Sequence, residues 1–480
     1  MRFKGFIGPS YTLQSINVDC QRCINLYPEI DEEGTGNEGE VAALVSTPGL
    51  SLLVTLPTSP VRGVYCDSLG NLWAVGGNTV YQISSSWVAT AIGTTFTATG
   101  PISFSDNGIE VVIVDGTYGY FWNIAPPLNY AQIIDASFYA SNQVTFIDGY
   151  LLFNKAGSNE FFFTDLNQVT PFNGLNVGSA ESSPDNLVGV INLQENLYLF
   201  CQKHFEVWYD SGAASLPFQR IQGAVVEIGC AATQTITAIQ TSVYWLGMDK
   251  NGQGTVYRVQ GLVPQRISTY AVENLIQSLG GSMSSARAWS YSQSGHFFYC
   301  LNIPGASTTW VYDTTSELWH ERAYLLPGGV YQRHLADCHA FAFNTNVVGD
   351  FSSGNLYSLS LNVYSDNGNP LRRERVSPHL SKDLDRVFHS RFYLDMEMGL
   401  GLDGTGQGVT PQIMLTWSND WGHSWSNEHW TSAGPIGARK QRAIWRRLGQ
   451  ARDRVYKVQI SDPIKITLMG AEIDVEPGIS

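Results

Sequence analysis

The chain has 480 residues, of which 43% are apolar and only 15% are charged, against roughly 25% charged residues in an average soluble domain. Its longest apolar runs, such as Leu50–Leu56 and Val111–Val114, fall far short of the roughly 18 residues that cross a bilayer, which argues against membrane insertion. Residues 370–480 hold 15 of the 28 Lys and Arg and 13 of the 42 Asp and Glu, which leaves 13 basic and 29 acidic side chains for the rest. A body that acidic argues against tight, direct binding of nucleic acid, because such affinity comes largely from Lys and Arg displacing counterions.

The amino-terminal 60 residues are interpreted as an extended arm and docking segment. The opening MRFKGFIGPS has neither a continuous apolar stretch nor a small-residue cleavage site, so it does not predict a signal peptide, and folding in a cytoplasm is expected. Cys20 and Cys23 form a C-x-x-C pair, but no second pair or nearby H-x-x-x-H completes a zinc site, which favours buried thiols.

An acidic run interleaved with glycines follows this pair. It is predicted to be a solvated loop, with a cation site as the alternative. The run consists of Asp31, Glu32, Glu33, Glu38 and Glu40.

Seven aromatic-rich segments recur along the middle of the chain. Their centres lie near Tyr81, Phe121, Phe162, Trp208, Tyr257, Tyr312 and Tyr357. Successive centres are 40 to 55 residues apart, close to the roughly 40 to 50 residues of a four-stranded propeller blade. Turns such as Asn251-Gly252 and Ser294-Gly295 suit hairpins that need positive φ. We therefore predict an all-β fold, with a propeller-like array of six or seven blades over residues 61–369.

Stacked sandwiches are the alternative for the same strands, but the interval is more regular than a sandwich requires. One short helix is also predicted. Ser268 or Thr269 would cap it, and Gly280-Gly281 would stop it. Between them, Val272, Leu275, Ile276 and Leu279 repeat at helical spacing.

Residues 370–480 lack the repeat and are predicted to form a separate β-rich domain. Its predicted strands are 390–399, 411–420, 443–449, 454–461 and 464–476, with a Gly-rich loop at 399–408. This domain contains one match to the S-x-D-x-G-x-[ST]-W Asp box. The matching residues are Ser418, Asp420, Gly422, Ser424 and Trp425. We interpret the box as a structural hairpin turn in which Asp and Ser bond the local backbone while Trp packs beneath.

A basic run in the same domain is a candidate interface, on a solvated or partner-facing surface rather than a nucleic-acid site. It comprises Arg439, Lys440, Arg442, Arg446, Arg447, Arg452 and Arg454, with Lys457 close behind. His334 and His339 crowd near Asp337 and Cys338, but they should point to opposite faces of an alternating strand, which favours packing over metal binding. No catalytic, cofactor or metal site is predicted, since no G-x-S-x-G, P-loop or H-E-x-x-H occurs.

Four stretches resemble the packaged-DNA stabilisation proteins, the tail hub or nozzle family of short-tailed bacteriophages. They are SYTLQSINVDCQRCINLYPE, STPGLSLLVTL, WVYDTTSELWHER and LTWSNDWGHSWSNEHWTSAGPIGARKQRAIWRRLGQARDRVYKVQISDP. The most specific part combines the Asp box with the runs at 434–442 and 447–455. Asn419-Asp420-Trp421 departs from the acidic or glycine residues that the family often has.

The resemblance implies a structural virion protein, not an enzyme, that is assembled in the host cytoplasm into the virion tail. It implies a homo-oligomer, expected as a hexameric ring, which closes the tail channel below the portal and the adaptor protein and retains packaged DNA. Tail spikes or fibres and a plug or needle protein would attach to it, and DNA would only pass through. The acidic body would give a lumen along which DNA slides. The alternative is a carbohydrate-active or receptor-binding tail protein resembling a sialidase propeller, suggested by the Asp box; a propeller adhesin is a third option.

Overall fold

The structure is a computed structural model that describes residues 1–31, 41–213, 216–249, 251–382 and 385–478. Within these ranges one α-helix occurs, Tyr270–Leu279, with short 3-10 helices at Thr233–Thr235 and Gly280–Ser285. The α-helix begins after Thr269 and ends at Gly280, as the sequence predicts, and it buries Val272 and Ile276. No helix in the described residues is long and apolar enough to cross a bilayer.

Seven antiparallel sheets follow one another along residues 61–360, and we number them as blades one to seven. Blade one contains Val61–Cys66, Leu72–Gly76, Thr79–Ile83 and Ala89–Thr94. Blade two contains Ser103–Asp106, Glu110–Val114, Gly119–Asn123 and Ala131–Gln132. Blade three contains Val144–Ile147, Tyr150–Asn154, Glu160–Phe163 and Val177–Ser179. Blade four contains Leu187–Leu193, Asn196–Cys201, Phe205–Asp210 and Phe218–Val226.

The last three blades are less uniform. Blade five contains Gly229–Cys230, Thr237–Ile239, Ser242–Met248, Gly254–Gln260 and Val263–Arg266. Blade six contains Arg287–Gln293, His296–Asn302, Thr309–Asp313 and Leu318–Leu325, with Tyr331–Arg333 paired to its last strand. Blade seven contains Ala336–Ala342, Thr345–Asp350, Asn355–Ser360 and the distant strand Gly49–Thr55. Short strands Ser365–Asp366 and Asn369–Pro370 extend it.

The ring closes through a strand from the amino-terminal part of the chain. Gly49–Thr55 pairs with Asn355–Ser360 and supplies the fourth strand of blade seven. Blades seven and one then share a hydrophobic cluster that includes Val61, Ala340 and Leu356. A hydrophobic cluster also lies between the two blades of each remaining consecutive pair. Between blades one and two, for example, the ring centroids of Trp73 and Trp122 are 5.2 Å apart.

Each of the seven aromatic segments recognised in the sequence is the third strand of its blade in sheet order, because Gly229–Cys230 and Thr237–Ile239 of blade five both pair with Ser242–Met248 and share the first position. Tyr81 and Phe121, for example, lie in the third strands of blades one and two. Aromatic rings suit these strands because both faces of a blade pack against neighbours, and each ring buries a large apolar area. The sequence left six and seven blades open, and the sheet order of the described residues contains seven.

The remaining strands form two sheets of a β-sandwich. The first sheet contains Leu26–Ile30, Val41–Ser46, Thr467–Pro477, Val387–Met396, Ala443–Arg446 and Gln450–Ala451. The second contains Tyr11–Thr12, Cys20–Ile24, Arg373–Val376, Leu380–Ser381, Asp453–Ile460, Gln412–Ser418 and His429–Ser432. A core that includes Phe392, Tyr456 and Leu468 lies between them.

The amino-terminal residues belong to both domains instead of forming a separate arm. Phe3 and Phe6 lie in the sandwich core, and the two strands at Leu26–Ile30 and Val41–Ser46 join its first sheet. Residues 49–55 belong to blade seven. The expected docking arm over residues 1–60 therefore corresponds, in the described residues, to strands whose apolar faces are buried within the chain.

Candidate interface and the junction between the domains

Most of the basic run lies along an exposed edge of the sandwich. The strand Ala443–Arg446 is an edge strand of the first sheet, and Arg446 lies opposite Arg391 on the neighbouring strand. Six members of the run are exposed: Arg439, Lys440, Arg442, Arg446, Arg447 and Arg452. Among the described residues, the first five make no ion pair. Charged side chains on an edge strand discourage uncontrolled strand pairing, and they also offer a surface for an acidic partner.

Arg454 is a correction to the candidate interface, because its side chain is buried and cannot face a partner. Its Nη1 donates to the carbonyl oxygen of Leu448 at 2.7 Å, and its Nε donates to Oδ1 of Asn419 at 2.9 Å. Its guanidinium also lies 5.5 Å from the ring centroid of Trp417. Arg454 therefore connects the loop that carries the basic run to the Asp box.

The Asp box is a closed turn after the strand Gln412–Ser418. Ser418 Oγ donates to Asp420 Oδ1 at 2.6 Å, and the amide of Gly422 donates to Ser418 Oγ at 2.8 Å. Ser424 donates to Asp420 twice, from its amide to Oδ1 at 2.9 Å and from Oγ to Oδ2 at 2.6 Å. These bonds hold the pKa of Asp420 well below its ordinary value. Both carboxylate oxygens are thus used within the turn.

The box also contacts the amino-terminal segment. Trp425 packs on a small cluster that contains Cys20, Val376 and Val455. His423 Nε2 lies 2.8 Å from Oδ1 of Asn17. Lys457 Nζ lies 4.0 Å from the ring centroid of Trp425, on the side of the strand that faces the box. The box thus joins residues 16–20 to the sandwich, which is a structural role.

One strand joins the propeller to the sandwich. Cys20–Ile24 pairs in parallel with the last strand of blade six and antiparallel with Arg373–Val376. Blade six and the second sandwich sheet therefore form one continuous sheet. At the end of this strand Asn25, with φ of 55°, donates to the carbonyl oxygens of Ala323 and Arg372 and accepts from the amide of Ala323.

A partly buried ion pair reinforces this junction. Arg22 donates from Nη2 to Oε2 of Glu321 at 2.5 Å, and Glu321 also accepts from the hydroxyls of Ser10 and Thr308. Burial alone would raise the pKa of Glu321, but the charge and hydrogen bonds of Arg22 outweigh it and lower the pKa. The side chain of Glu321 is 4% exposed and stays ionised because its partners replace water.

Two fully buried arginines, Arg373 and Arg375, donate to backbone carbonyl oxygens, and Arg375 holds the amino-terminal segment in this way. Sequence reasoning missed both. Arg375 donates to the carbonyl oxygens of Gly5, Phe6 and Pro9, and Arg373 donates to those of Leu371, Asp462 and Ile464. Burial lowers the pKa of each guanidinium to about 10, so both remain charged at neutral pH. The sequence did contain a signal for them. Arg373 and Arg375 are two apart and therefore lie on one face of a short strand, where two like charges are unusual.

The C-x-x-C pair does not form a site. Cys23 lies in the sandwich core and its thiol donates to the carbonyl oxygen of Leu26, whereas Cys20 lies in the cluster beneath the Asp box. Residues three apart on a strand point to opposite faces, which separates the two sulfurs. Of the acidic run, Asp31 is described, and Glu32, Glu33, Glu38 and Glu40 lie outside the described residues.

His334 and His339 differ from the expectation of opposite faces. A β-bulge at Asp337 shifts the register between Ala336 and Cys338, and both imidazoles pack on Trp289, with ring centroids 6.4 and 6.0 Å away. Burial lowers the pKa of His334 to about 3 and that of His339 to about 4, so both rings are neutral. They act as flat, packed side chains, which agrees with the predicted packing role.

The fold and these features define a structural class, an all-β protein in which a propeller is fused to a β-sandwich. Residues 21–364 match the family model described as "Bacteriophage P22 Gp10, beta-propeller", and residues 372–476 match the one described as "Bacteriophage P22 Gp10, beta-sandwich". The chain belongs to this family of phage proteins that stabilise packaged DNA. It is accordingly a structural protein of the virion, and the family suggests no enzymatic activity. A search of the curated proteins finds no match.

Solved structures resemble the chain only distantly. The extracellular domain of the putative hybrid two component system BT4673 from B. thetaiotaomicron has 9% identity and a TM-score of 0.43, and the match covers 76% of this chain. The chain spans 43% of that structure's length. The Neurospora crassa Pan2 WD40 domain has 12% identity and a TM-score of 0.41, with 66% of this chain and 96% of that one covered. Neither similarity carries an argument about function.

Proposed function

We propose that this chain is the subunit of a tail hub, or nozzle: a ring of about six copies that extends and closes the tail channel below the adaptor protein and so retains packaged DNA. Membership of the family supports a tail role. The observation that carries the finer proposal is the continuous sheet through Cys20–Ile24, which fuses propeller and sandwich. A subunit that withstands the pressure of packaged DNA needs such a connection, because two domains on a flexible linker would move independently.

The exposed basic edge of the sandwich is the proposed contact with an acidic neighbour. Arg442 and Arg446 have no ion-pair partner among the described residues, while the first 369 residues of each copy carry an excess of acidic side chains. Charge complementarity of this kind favours ordered association of neighbouring subunits or of the adaptor. Spikes or fibres and the plug would attach to other surfaces of the ring, DNA would pass through an acidic lumen, and assembly would take place in the host cytoplasm.

Complementation of a phage that lacks this chain tests the proposal. The double variant Arg442→Glu/Arg446→Glu should fold, fail to join the tail and yield particles that lose DNA. Lys382→Glu, an exposed charge reversal away from the edge strand, should assemble normally. Cryo-EM of complemented particles should show the chain as a ring below the adaptor. A location elsewhere in the particle, or normal DNA retention without the chain, would contradict the proposal.

A carbohydrate-active tail protein is the competing function. The Asp box gives it little support, because Asp420 is engaged by Ser418 and Ser424 and has no free oxygen for a sugar. Incubation of the purified chain with host polysaccharide should release no sugar. Measurable release, abolished by a variant of a single pocket residue, would favour the enzyme instead.

A further inference from the structure

A hairpin at the rim of blade four places a cysteine and a histidine side by side. The strands Asn196–Cys201 and Phe205–Asp210 are joined by the short turn Gln202-Lys203-His204, and the amide of Cys201 donates to the carbonyl oxygen of His204 at 2.8 Å. The C-x-x-H spacing thus brackets a tight turn. Short spacings of this kind are typical of metal-binding hairpins, because both side chains leave the turn on the same side.

A carboxylate from the preceding segment reaches the same point. Asp185 lies just before the strand Leu187–Leu193, and its Oδ2 accepts from the amide of Lys203 at 2.6 Å. That bond directs Oδ1 towards His204, 2.9 Å from Nδ1. The ligand atoms of Asp185, Cys201 and His204 all lie within 4.8 Å of one another. Three different metal-ligating side chains therefore converge from two segments.

Three polar atoms of this cluster are buried without hydrogen bonds. The side chains of Asp185 and His204 are each 3% exposed. Among the described residues, Asp185 Oδ1 and both ring nitrogens of His204 have no hydrogen-bond partner, since the 2.9 Å approach does not have hydrogen-bond geometry. A buried polar atom without a hydrogen-bond partner destabilises the folded chain, because it has lost its contacts with water. A cation between Oδ1 and Nδ1 would satisfy both atoms at once.

The chemistry of the three ligands selects the ion. A thiolate, an imidazole and a carboxylate together suit Zn²⁺, whereas Mg²⁺ and Ca²⁺ prefer oxygen ligands only. Ligands bound at zinc distances lie about 3.4 Å apart in a tetrahedron, so the cluster needs only small side-chain adjustments. On the far side of the imidazole, Oε1 of the fully buried Glu206 lies 3.6 Å from Nε2. A second carboxylate in that position orients a metal-bound histidine.

Solvent has a route to the cluster. His204 and Lys203 border an open cavity of about 700 Å³, together with Ser182, Val225 and Tyr257. An ion can enter by this route, and a water molecule from the cavity can complete its coordination. Cys201 itself is fully buried in the core of blades three and four, so its sulfur is protected from oxidation.

We propose that blade four binds one Zn²⁺ ion through Asp185 Oδ1, Cys201 Sγ and His204 Nδ1, with water as the fourth ligand. On binding, the S–H bond of Cys201 is replaced by an S–Zn bond, and the proton leaves to solvent. The ion ties the segment before blade four to its second hairpin. This stiffens the rim of the propeller and is independent of the tail-hub proposal.

Metal analysis of the full chain tests the site. The protein, stripped with a chelator and then dialysed against Zn²⁺, should retain about one zinc per chain. Replacement with Co²⁺ should add a thiolate-to-metal charge-transfer band. Cys201→Ser and His204→Gln should lose both signals, whereas Cys300→Ser, a change at a fully buried cysteine in blade six, should keep them.

A second measurement needs no variant. Zn²⁺ added to the stripped wild-type chain should raise its thermal unfolding temperature, because an ion that binds only the folded state stabilises it. Retention of zinc by Cys201→Ser would overturn the proposal. So would the absence of both retained zinc and a thermal shift in the wild-type chain.

Discussion

Arg22 donates two hydrogen bonds to the carboxylate of Glu321, Nε to Oε1 at 3.1 Å and Nη2 to Oε2 at 2.5 Å, although 299 residues separate them in the chain. Arg22 lies in the strand that leads out of the sandwich, and Glu321 lies in the last strand of blade six. This ion pair therefore connects the sandwich directly to the propeller.

Glu321→Gln should destabilise the junction strongly. Removing one partner leaves a partly buried guanidinium, 30% exposed, without its counter-charge. The cost should lie below the about 3–5 kcal/mol seen when a fully buried pair is broken. Urea unfolding followed by fluorescence should show the loss. The exposed pair Lys465–Glu397, with side chains 52% and 43% exposed, provides the control, and Glu397→Gln should cost less than about 1 kcal/mol. If the two variants lost the same free energy of unfolding, the ion pair at the junction would contribute no more to stability than an exposed pair.

His379 should make stability depend on pH in the alkaline range. Its Nδ1 lies 2.8 Å from Oδ1 of Asp453, and this hydrogen bond, with a weaker contact from Cys20, raises the pKa of His379 to about 10. A raised pKa means that the stabilisation is complete below the unfolded value of about 6.5 and is lost as pH rises through about 10.

The difference between wild type and His379→Gln isolates this effect from other titrating groups. The free energy of unfolding of the wild type should exceed that of the variant near pH 6, and the gap should narrow steadily towards pH 10. A gap that widens with pH would mean that His379 is not charged in the folded chain.

Gly49→Ala should disturb closure of the ring. Gly49 begins the strand that completes blade seven, and a Cβ there would lie 2.5 Å from the carbonyl oxygens of both Val363 and Ser365. Backbone atoms cannot move aside cheaply, so overpacking should cost about 1–3 kcal/mol. Gly470→Ala, also within a strand but with no atom within 4 Å of the added Cβ, should be nearly neutral. Thermal unfolding of the two variants is the comparison, and similar melting temperatures would refute the prediction.

Asp420→Asn should loosen the Asp box without unfolding the sandwich. The amide of Ser424 and the hydroxyl of Ser424 both donate to Asp420, and an amide side chain cannot accept at both positions. Hydrogen exchange should therefore speed up across residues 418–425 and at Asn17–Cys20, which the box contacts. Asp403→Asn, in the exposed Gly-rich loop, should leave that region unchanged. Unaltered exchange in Asp420→Asn would show that the turn does not depend on the carboxylate.

Local patterns predicted the repeating part of the fold well. The seven aromatic segments marked the third strand of every blade, and the capping residues and apolar spacing placed the helix Tyr270–Leu279. The five strands expected in the carboxy-terminal domain are present, with ends shifted by a few residues. These signals succeed because strand and turn preferences depend mainly on neighbouring residues.

Long-range contacts could not be predicted in this way. Arg454 looked like one more exposed arginine, and its burial follows from contacts with Asn419 and Leu448 that no local pattern encodes. His334 and His339 pack on the same tryptophan because of a bulge, which breaks the simple alternation of a strand. The burial of Arg373 and Arg375 depends on hydrogen bonds to carbonyl oxygens in segments tens to hundreds of residues away.

By itself the sequence determined the all-β class, the blade repeat, the Asp box turn and the resemblance to a phage tail family. Each of these features depends on residues that are close together in the chain or on a contiguous motif. Only the tertiary structure decided that residues 1–31 and 41–55 are divided between the sandwich and blade seven, and that Cys20–Ile24 joins a sheet of each domain into one continuous sheet. Strand pairing across hundreds of residues depends on which strand edges and buried charges meet in space. The spacing of residues along the chain does not predict which strands will pair.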